Sequence, residues 1–190
     1  MSVLSLPVLW ILLLGGCTAV VTPPDDPKQP ETILLVDNSY HASVVLPASE
    51  EGTWIRYEYG DWSYFANNNT SFFSSFAAYA WPTDGGLGRR FIEDRRADAH
   101  PADRRDGTNV YEIDVPGERV QSLVNELNRE FQRNGIETYY NHHRELTLVR
   151  VEWDYWIFHD SNAQVVDWLQ ALGCEVHGSS FLSDWRVARE

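Results

Sequence analysis

Hydrophobic positions recur along this chain with two different spacings, and these spacings predict its strands and helices. Residues 109–115 alternate polar and apolar side chains, which is the period of two expected of a half-buried strand. After Pro116-Gly117 the apolar side chains instead recur every three or four positions, as they do along one face of a helix. The residues on that face are Val120, Leu123, Val124, Leu127 and Phe131. We therefore predict a strand followed by an amphipathic helix that ends at Asn134-Gly135.

The same patterns predict the other elements of the chain. Further strands are predicted at about 33–37, 43–46, 54–59, 146–153 and 155–158. Helices are predicted between Asn67 and Pro82 and from Asn162 to Leu172. Residues 83–108, with three Arg-Arg pairs among acidic residues, are predicted to form a solvated loop or, alternatively, a contact for anions. Because strands occur before, between and after the helices without regular βαβ alternation, we expect an α+β fold.

The first apolar run, Leu6–Leu14, has the length of the hydrophobic region of a signal peptide and is too short to span a bilayer. The sequence Leu14-Gly-Gly-Cys17 that ends it resembles a bacterial lipobox, although the preceding residues lack the usual Lys or Arg. This resemblance implies a signal peptide over residues 1–16 and lipidation of Cys17. Two alternatives stay open, which are a plain secretory signal and an apolar anchor that is never cleaved.

The lipobox implies a location in the bacterial cell envelope, with membrane lipid attached through Cys17. Thr18, in place of Asp, gives no inner-membrane retention signal, so we expect the outer membrane facing the periplasm. Residues 17–32 are proline-rich and without periodicity, which predicts an extended tether. Residues 33–190 are then predicted to form a single domain. The net charge of −13 falls entirely after residue 16 and argues against a nucleic acid partner.

Two segments carry the residues that are best suited to chemistry. His41 stands at the head of an apolar strand, and Ser161-Asn162 stands where a strand turns into a helix N-terminus. A helix N-terminus stabilises an anion, so a nucleophile there is favoured, and a nearby histidine could act as its base. Ser161-Asn-Ala-Gln164 also fits a capping box, in which the serine serves only the helix.

Four stretches together resemble a family of uncharacterised bacterial proteins labelled conserved hypothetical and urease-associated. They are YHASVVLP (40–47), YEYGDWSYF (57–65), VYEIDVPGERVQSLVNELNREF (110–131) and YWIFHDSNAQVVDWLQALG (155–173). That family looks like circularly permuted papain-like, NlpC-type cell-wall peptidases. The resemblance implies a permuted papain-like domain in which an antiparallel sheet packs against helices.

The resemblance also implies the roles of individual residues. His41 takes the position of the base, Ser161 that of the nucleophile and Asp61 that of an acid that orients the base. Tyr40 and Asn162 take binding positions beside them. The chain departs from the family in having Ser161 where the family has cysteine, and Tyr40 where it has tryptophan.

The exchange of cysteine for serine leaves three hypotheses for the function. A thiol at a helix N-terminus ionises near neutral pH, whereas a hydroxyl needs a well-placed base in the transition state. The leading hypothesis is therefore a non-catalytic domain that binds an envelope peptide or glycan. The second is an active hydrolase or acyltransferase for amide or ester bonds that uses Ser161 and His41. The third is a purely structural envelope lipoprotein.

The remaining reactive residues are expected to be structural. Cys174 follows a helix and is predicted to be a buried cysteine, and with Cys17 lipidated it has no partner for a disulfide. Neither the group His142, His143 and Glu145 nor the pair His159 and Asp160 has a third ligand at a recognised spacing, so no metal or cofactor is expected. The aromatic residues between Trp54 and Phe65 are expected to fill the core rather than line a groove.

The anchor can be tested by replacing the cysteine of the lipobox. Because lipidation requires the thiol, Cys17→Ser should leave unprocessed precursor or move the protein out of the detergent-extracted membrane fraction. The measurement is fractionation and mass of the mature protein. A mutant that is processed and fractionates like the wild type would show that the lipoprotein prediction is wrong.

Overall fold

The structure is a computed structural model, which describes residues 18–38, 41–48, 50, 52–67, 81–93, 108–133 and 137–188. The described residues form ten strands and three helices. The strands are β1 (Thr18–Thr22), β2 (Pro30–Asp37), β3 (Ala42–Pro47), β4 (Trp54–Asp61), β5 (Thr83–Ile92), β6 (Asn109–Pro116), β7 (Tyr139–Asn141), β8 (Leu146–Tyr155), β9 (Glu175–Gly178) and β10 (Asp184–Val187). The helices are α1 (Trp62–Asn67), α2 (Gly117–Arg133) and α3 (Ser161–Ala171). None of the described helices is long and apolar enough to cross a membrane.

The strands form two sheets. The larger has seven strands in the order β6-β2-β3-β4-β5-β8-β7, and all its neighbours are antiparallel. The smaller has the order β10-β1-β9, in which β1 runs parallel to β10 and antiparallel to β9. The predicted α+β class is therefore confirmed, with a mostly antiparallel sheet and helices beside it.

The main core lies between the large sheet and the helices α2 and α3. Alternate residues of a strand point to the same face, so Val44, Tyr57 and Tyr59 all point to this core and are fully buried. The predicted face of α2 is buried against them, as are Val165, Leu169 and Leu172 of the α3 segment. The opposite face of the sheet packs Leu146 and Leu148 against Phe65 and Ala66 of α1. Burial of Tyr57, Tyr59 and Phe65 confirms their predicted place in the core.

The prediction of a tether over residues 17–32 was wrong for its first and last described parts. Residues 18–22 form β1, in which Ala19 and Val21 are fully buried and alternate with more exposed neighbours. Residues 30–32 already belong to β2. The four prolines between 23 and 30 are typical of a tether, but a short strand with alternating burial precedes them. Residues 18–22 therefore belong to the folded domain that was predicted to start at residue 33.

The prediction of a loop over residues 83–108 was wrong for residues 83–92. They form β5, which lies inside the large sheet between β4 and β8. Its glycines hide the strand pattern because they have no side chain to alternate, yet they are needed for close packing. A Cβ atom on Gly85 would lie 2.2 Å from the carbonyl oxygen of Trp153, and one on Gly88 would lie 2.3 Å from Leu146. Residues 94–107 lie outside the described part of the chain.

Arg89, which belongs to one of the Arg-Arg pairs of β5, packs on α2. Its guanidinium lies 4.1 Å from the centre of the Phe131 ring and donates to the side chain of Asn128 at 2.8 Å. The cation therefore contributes a cation–π contact and a hydrogen bond between the sheet and the helix. Arg90 points to the opposite face, where it lies 3.9 Å from Glu145. For this pair, packing replaces both predicted alternatives, a solvated loop and an anion contact. The other two Arg-Arg pairs lie outside the described residues.

The last two predicted elements are the strand at 155–158 and the helix between Asn67 and Pro82. The short strand predicted at 155–158 is instead the end of β8 followed by a turn, closed by paired backbone hydrogen bonds between Trp156 and His159. Its apolar residues belong to an exposed turn, since the side chain of Phe158 is 75% exposed. Most of the helix predicted between Asn67 and Pro82 lies outside the described residues.

The close packing of β5 can be tested with two neighbouring glycines. Gly85→Ala places a methyl group against the backbone of β8 and the hydroxyl of Tyr59, so it should lower the free energy of unfolding by about 1–3 kcal/mol. Gly86→Ala is the matched control, because its methyl group would meet its nearest neighbour at 3.4 Å. Urea denaturation of both variants gives the comparison. Equal stability of the two variants would contradict the proposed reason for glycine at position 85.

Candidate active site

The start of α3 is capped by Asp160, one residue before the predicted cap. The backbone of Asp160 is extended, and its carboxylate accepts hydrogen bonds from the amides of Asn162 at 3.0 Å and Ala163 at 2.8 Å. Ser161 is the first residue inside the helix, so the capping box predicted on Ser161 was wrong. A carboxylate accepts more strongly than a hydroxyl and suits the positive end of the helix dipole.

Burial raises the pKa of Asp160, although the two amides and the nearby His41 and His159 oppose that rise. Ser161 itself is 6% exposed. A nucleophile must reach its substrate as well as its base, and this position offers a substrate little access. The environment of Ser161 is that of a residue in the packed first turn of a helix.

Asn162 joins α3 to the strand that follows His41. Its side-chain oxygen accepts a hydrogen bond from the backbone amide of Ala42 at 2.9 Å, across 120 positions of sequence. Asn162 is 1% exposed, so this bond forms in the interior. The two segments that the sequence predicts to form the site are thus brought together, and Asn162 forms the bond between them instead of lining an open binding surface.

The side chain of His41 is paired with Glu58. The Nε2 atom of His41 lies 3.3 Å from Oε2 of Glu58, and its ring centre lies 5.4 Å from that of Phe65. Within the described part of the chain, no hydrogen bond joins His41 to Ser161. The acid beside the histidine is therefore Glu58, in place of the predicted Asp61.

Glu58 belongs to a buried charged row on β4. Its other carboxylate oxygen lies 2.8 Å from Nε of Arg56, which also donates to the hydroxyl of Ser43 at 3.0 Å. Burial alone would raise the pKa of Glu58. The opposing effects of Arg56, His41 and Arg144 are together larger, so the pKa of Glu58 lies well below its usual range. Glu58 is thus a permanent carboxylate that neutralises Arg56 and accepts from His41.

Asp61 serves α1 instead of His41. Its carboxylate accepts hydrogen bonds from the backbone amide of Tyr64 at 2.8 Å and from the hydroxyl of Thr83 at 2.6 Å. Positions 58 and 61 of a strand point to opposite faces, so only one of them could reach His41. The register of β3 against β4 determines which acid of β4 faces His41, and the sequence pattern alone does not give that register. Tyr40 and Cys17 lie outside the described residues.

A groove that the sequence did not indicate lies between α2, α3 and the turn that follows β8. Its volume is about 510 Å³, and three tryptophans and three carboxylic acids are among its lining residues. These residues are Trp153, Trp156, Trp168, Glu126, Asp154 and Asp167. His159 also lines it, held by the carbonyl of Asp154 at 2.9 Å. The residues come from three separate elements, which is why no single sequence motif shows them.

The remaining candidates for chemistry have structural environments. Cys174 is buried, as predicted, and burial raises the pKa of its thiol to about 11 in spite of nearby Arg119. Such a thiol is protonated at neutral pH and is a poor nucleophile. Among the described residues there is no group of three or more His, Cys, Asp or Glu side chains arranged to hold a metal ion.

Comparison of the chain with protein-family models, with curated proteins and with solved structures found no match.

The role of Glu58 predicts a characteristic dependence on pH. Glu58→Gln removes the carboxylate that neutralises the buried Arg56, so it should lower the free energy of unfolding at pH 7 by on the order of 3 kcal/mol. Because the folded-state pKa of Glu58 is depressed, its stabilisation is complete above the unfolded-state value of about 4.3 and is lost as the pH falls below it. The loss of stability between about pH 5 and pH 3 should therefore be smaller in Glu58→Gln than in the wild type.

Urea denaturation at a series of pH values measures this. Asp84→Asn is the matched control, because Asp84 forms an exposed ion pair with Arg150 and should contribute less than about 1 kcal/mol. If the Glu58 and Asp84 variants behave alike, then Glu58 is not the buried counter-ion described above.

Proposed function

We propose that this protein is a membrane-anchored lipoprotein of the bacterial cell envelope, whose permuted papain-like domain binds an envelope ligand without cleaving it. The observation that carries this proposal is the environment of the two expected catalytic positions. Ser161 lies in the packed first turn of α3, and among the described residues no hydrogen bond joins its side chain to His41. A serine nucleophile needs a base within hydrogen-bonding reach, at about 3 Å.

The permuted papain-like arrangement is supported by the order of the segments and by their contact. The histidine segment precedes the helix that carries the nucleophile position, as the family resemblance implies. The hydrogen bond between Asn162 and Ala42 brings both to one place beside an antiparallel sheet. These features fit the proposed fold. They also explain how the two segments stay in contact in a domain that has lost its catalytic activity.

Binding is favoured over a purely structural role by the groove beside α3. Trp156 keeps 37% of its surface exposed at this groove, and a concave site lined by aromatic rings with a few polar groups is typical of a ligand site. The groove shares α3 with the expected catalytic position, since Gln164, Asp167 and Trp168 line it. The ligand surface is therefore placed beside the expected site and not at a distance from it.

The proposal is tested by restoring the family's cysteine. Ser161→Cys should give a thiol that reacts with iodoacetamide at neutral pH no faster than a thiol at the exposed position 179, provided by Ser179→Cys. The physical reason is that position 161 is buried and that, among the described residues, its side chain has no hydrogen bond to His41. Mass spectrometry of the alkylated protein gives the rates.

A thiol at position 161 that is alkylated much faster than the one at position 179 would contradict the proposal. So would labelling of the wild-type protein, but not of Ser161→Ala, by a fluorophosphonate probe. Either result would establish an active hydrolase that uses Ser161 and His41.

A further inference from the structure

The groove between α2 and α3 is strongly acidic for its size. Glu126, Asp154 and Asp167 line it, and no lysine or arginine does so in the described part of the chain. No ion pair neutralises these three carboxylates among the described residues. Arg119 of α2 donates to the backbone carbonyl of Ala171 at one end of the groove. A cationic group placed in the groove would be attracted to these carboxylates.

The aromatic residues of the groove favour the same kind of ligand. Trp153, Trp156 and Trp168 contribute to its lining, and Trp156 is 37% exposed. The face of a tryptophan ring attracts lysine and arginine side chains more than any other ring does. An anionic ligand would meet both the carboxylates and the electron-rich faces of the rings, so it is excluded.

Gln164 supplies a third and independent indication. Its side chain lines the groove although the residue is only 7% exposed. Its backbone amide donates to Asp160, but within the described part of the chain its side-chain amide has no partner. The amide is not among the buried unpaired polar groups of the described residues, so it is open to the groove. A ligand with an amide of its own would pair with both its donor and its acceptor. A peptide bond has that pairing of donor and acceptor.

We propose that this groove binds a basic segment of a partner polypeptide. Lysine or arginine side chains of the segment lie on the exposed ring of Trp156, close to Glu126, Asp154 and Asp167, and a peptide bond of the segment pairs with Gln164. The inference rests on the proposed binding function and names its ligand class. A neutral glycan could stack on the same rings, but it would leave the carboxylates without a counter-charge.

The test uses the full chain, purified in detergent, and fluorescence anisotropy of labelled peptides. The probe is an acetylated and amidated pentapeptide, Ala-Lys-Ala-Arg-Ala. The matched neutral probe carries Nε-acetyl-lysine and citrulline at the same positions. The basic probe should bind at least about tenfold more tightly than the neutral one, which corresponds to about 1.4 kcal/mol. Its affinity should fall as the salt concentration rises.

Variants connect the binding to the groove. The double variant Asp154→Asn with Asp167→Asn should weaken binding of the basic probe at least about tenfold. Glu112→Gln is the matched control, since Glu112 is an exposed acid of β6 outside the groove, and it should leave the affinity unchanged. Gln164→Ala should weaken binding of both peptides, because both contain peptide bonds. Circular dichroism establishes that each variant is folded.

Several results would overturn the inference. Equal binding of the two peptides, unchanged binding by the double variant, or no binding of either peptide would each do so. Binding of a neutral oligosaccharide such as chitotetraose, with no binding of the basic peptide, would overturn it but leave the proposed binding function intact. Cleavage of the peptide by the wild type, and not by Ser161→Ala, would instead overturn the proposed function.

Discussion

The environment of His41 depends on the ion pair between Arg56 and Glu58. The two residues are two positions apart on β4 and therefore share one face of the large sheet. Removing both charges from water is costly, so the pair persists only where each partner finds further hydrogen bonds. Ser43 accepts from Arg56 and His41 lies beside Glu58, and these contacts fix the start of β3 relative to β4. The same strand end receives Asn162 and with it the start of α3.

Among the described residues the side chain of His41 is hydrogen-bonded to Glu58 of β4 and not to the helix N-terminus, although the two segments are in contact. In a catalytic site the acid orients the base toward the nucleophile. Here the only acid bonded to His41 among the described residues is Glu58, which already neutralises Arg56. One carboxylate therefore serves both as the partner of the histidine and as the counter-ion of a buried arginine.

The elements with a clear period could be predicted from the sequence. The helix α2 and the strand β6 lie where the spacing of apolar residues placed them, since each buries one face against the core. The strand β5 could not be predicted, because its glycines are placed by the side chains of neighbouring strands, such as Tyr59 and Leu146. Such a requirement arises only once the strands are paired. The same holds for β1, whose partners lie at the other end of the chain.

The site was predicted in part for a similar reason. The proximity of the strand after His41 to the helix after Ser161 followed from the family resemblance, and the structure joins them through Ala42 and Asn162. The identity of the acid beside His41 depends on strand register. The family resemblance therefore predicts Asp61, whereas the acid that lies beside His41 is Glu58. The exact cap was missed because Asp160 and Ser161 are both good capping residues, and only the backbone conformation decides between them.

The position of β1 has a consequence for how the chain folds during synthesis. Its two partners are β9 and β10, and the side chain of Thr18 is hydrogen-bonded to Asp184, 166 positions later. β1, the first of the described strands to leave the ribosome, must therefore stay unpaired until residues 175–187 have followed. Closing so long a loop is slow, and an unpaired apolar strand is prone to aggregation in the meantime. A chain built in this way gains from being kept unfolded until synthesis is complete, which is the state in which a secreted polypeptide crosses a membrane.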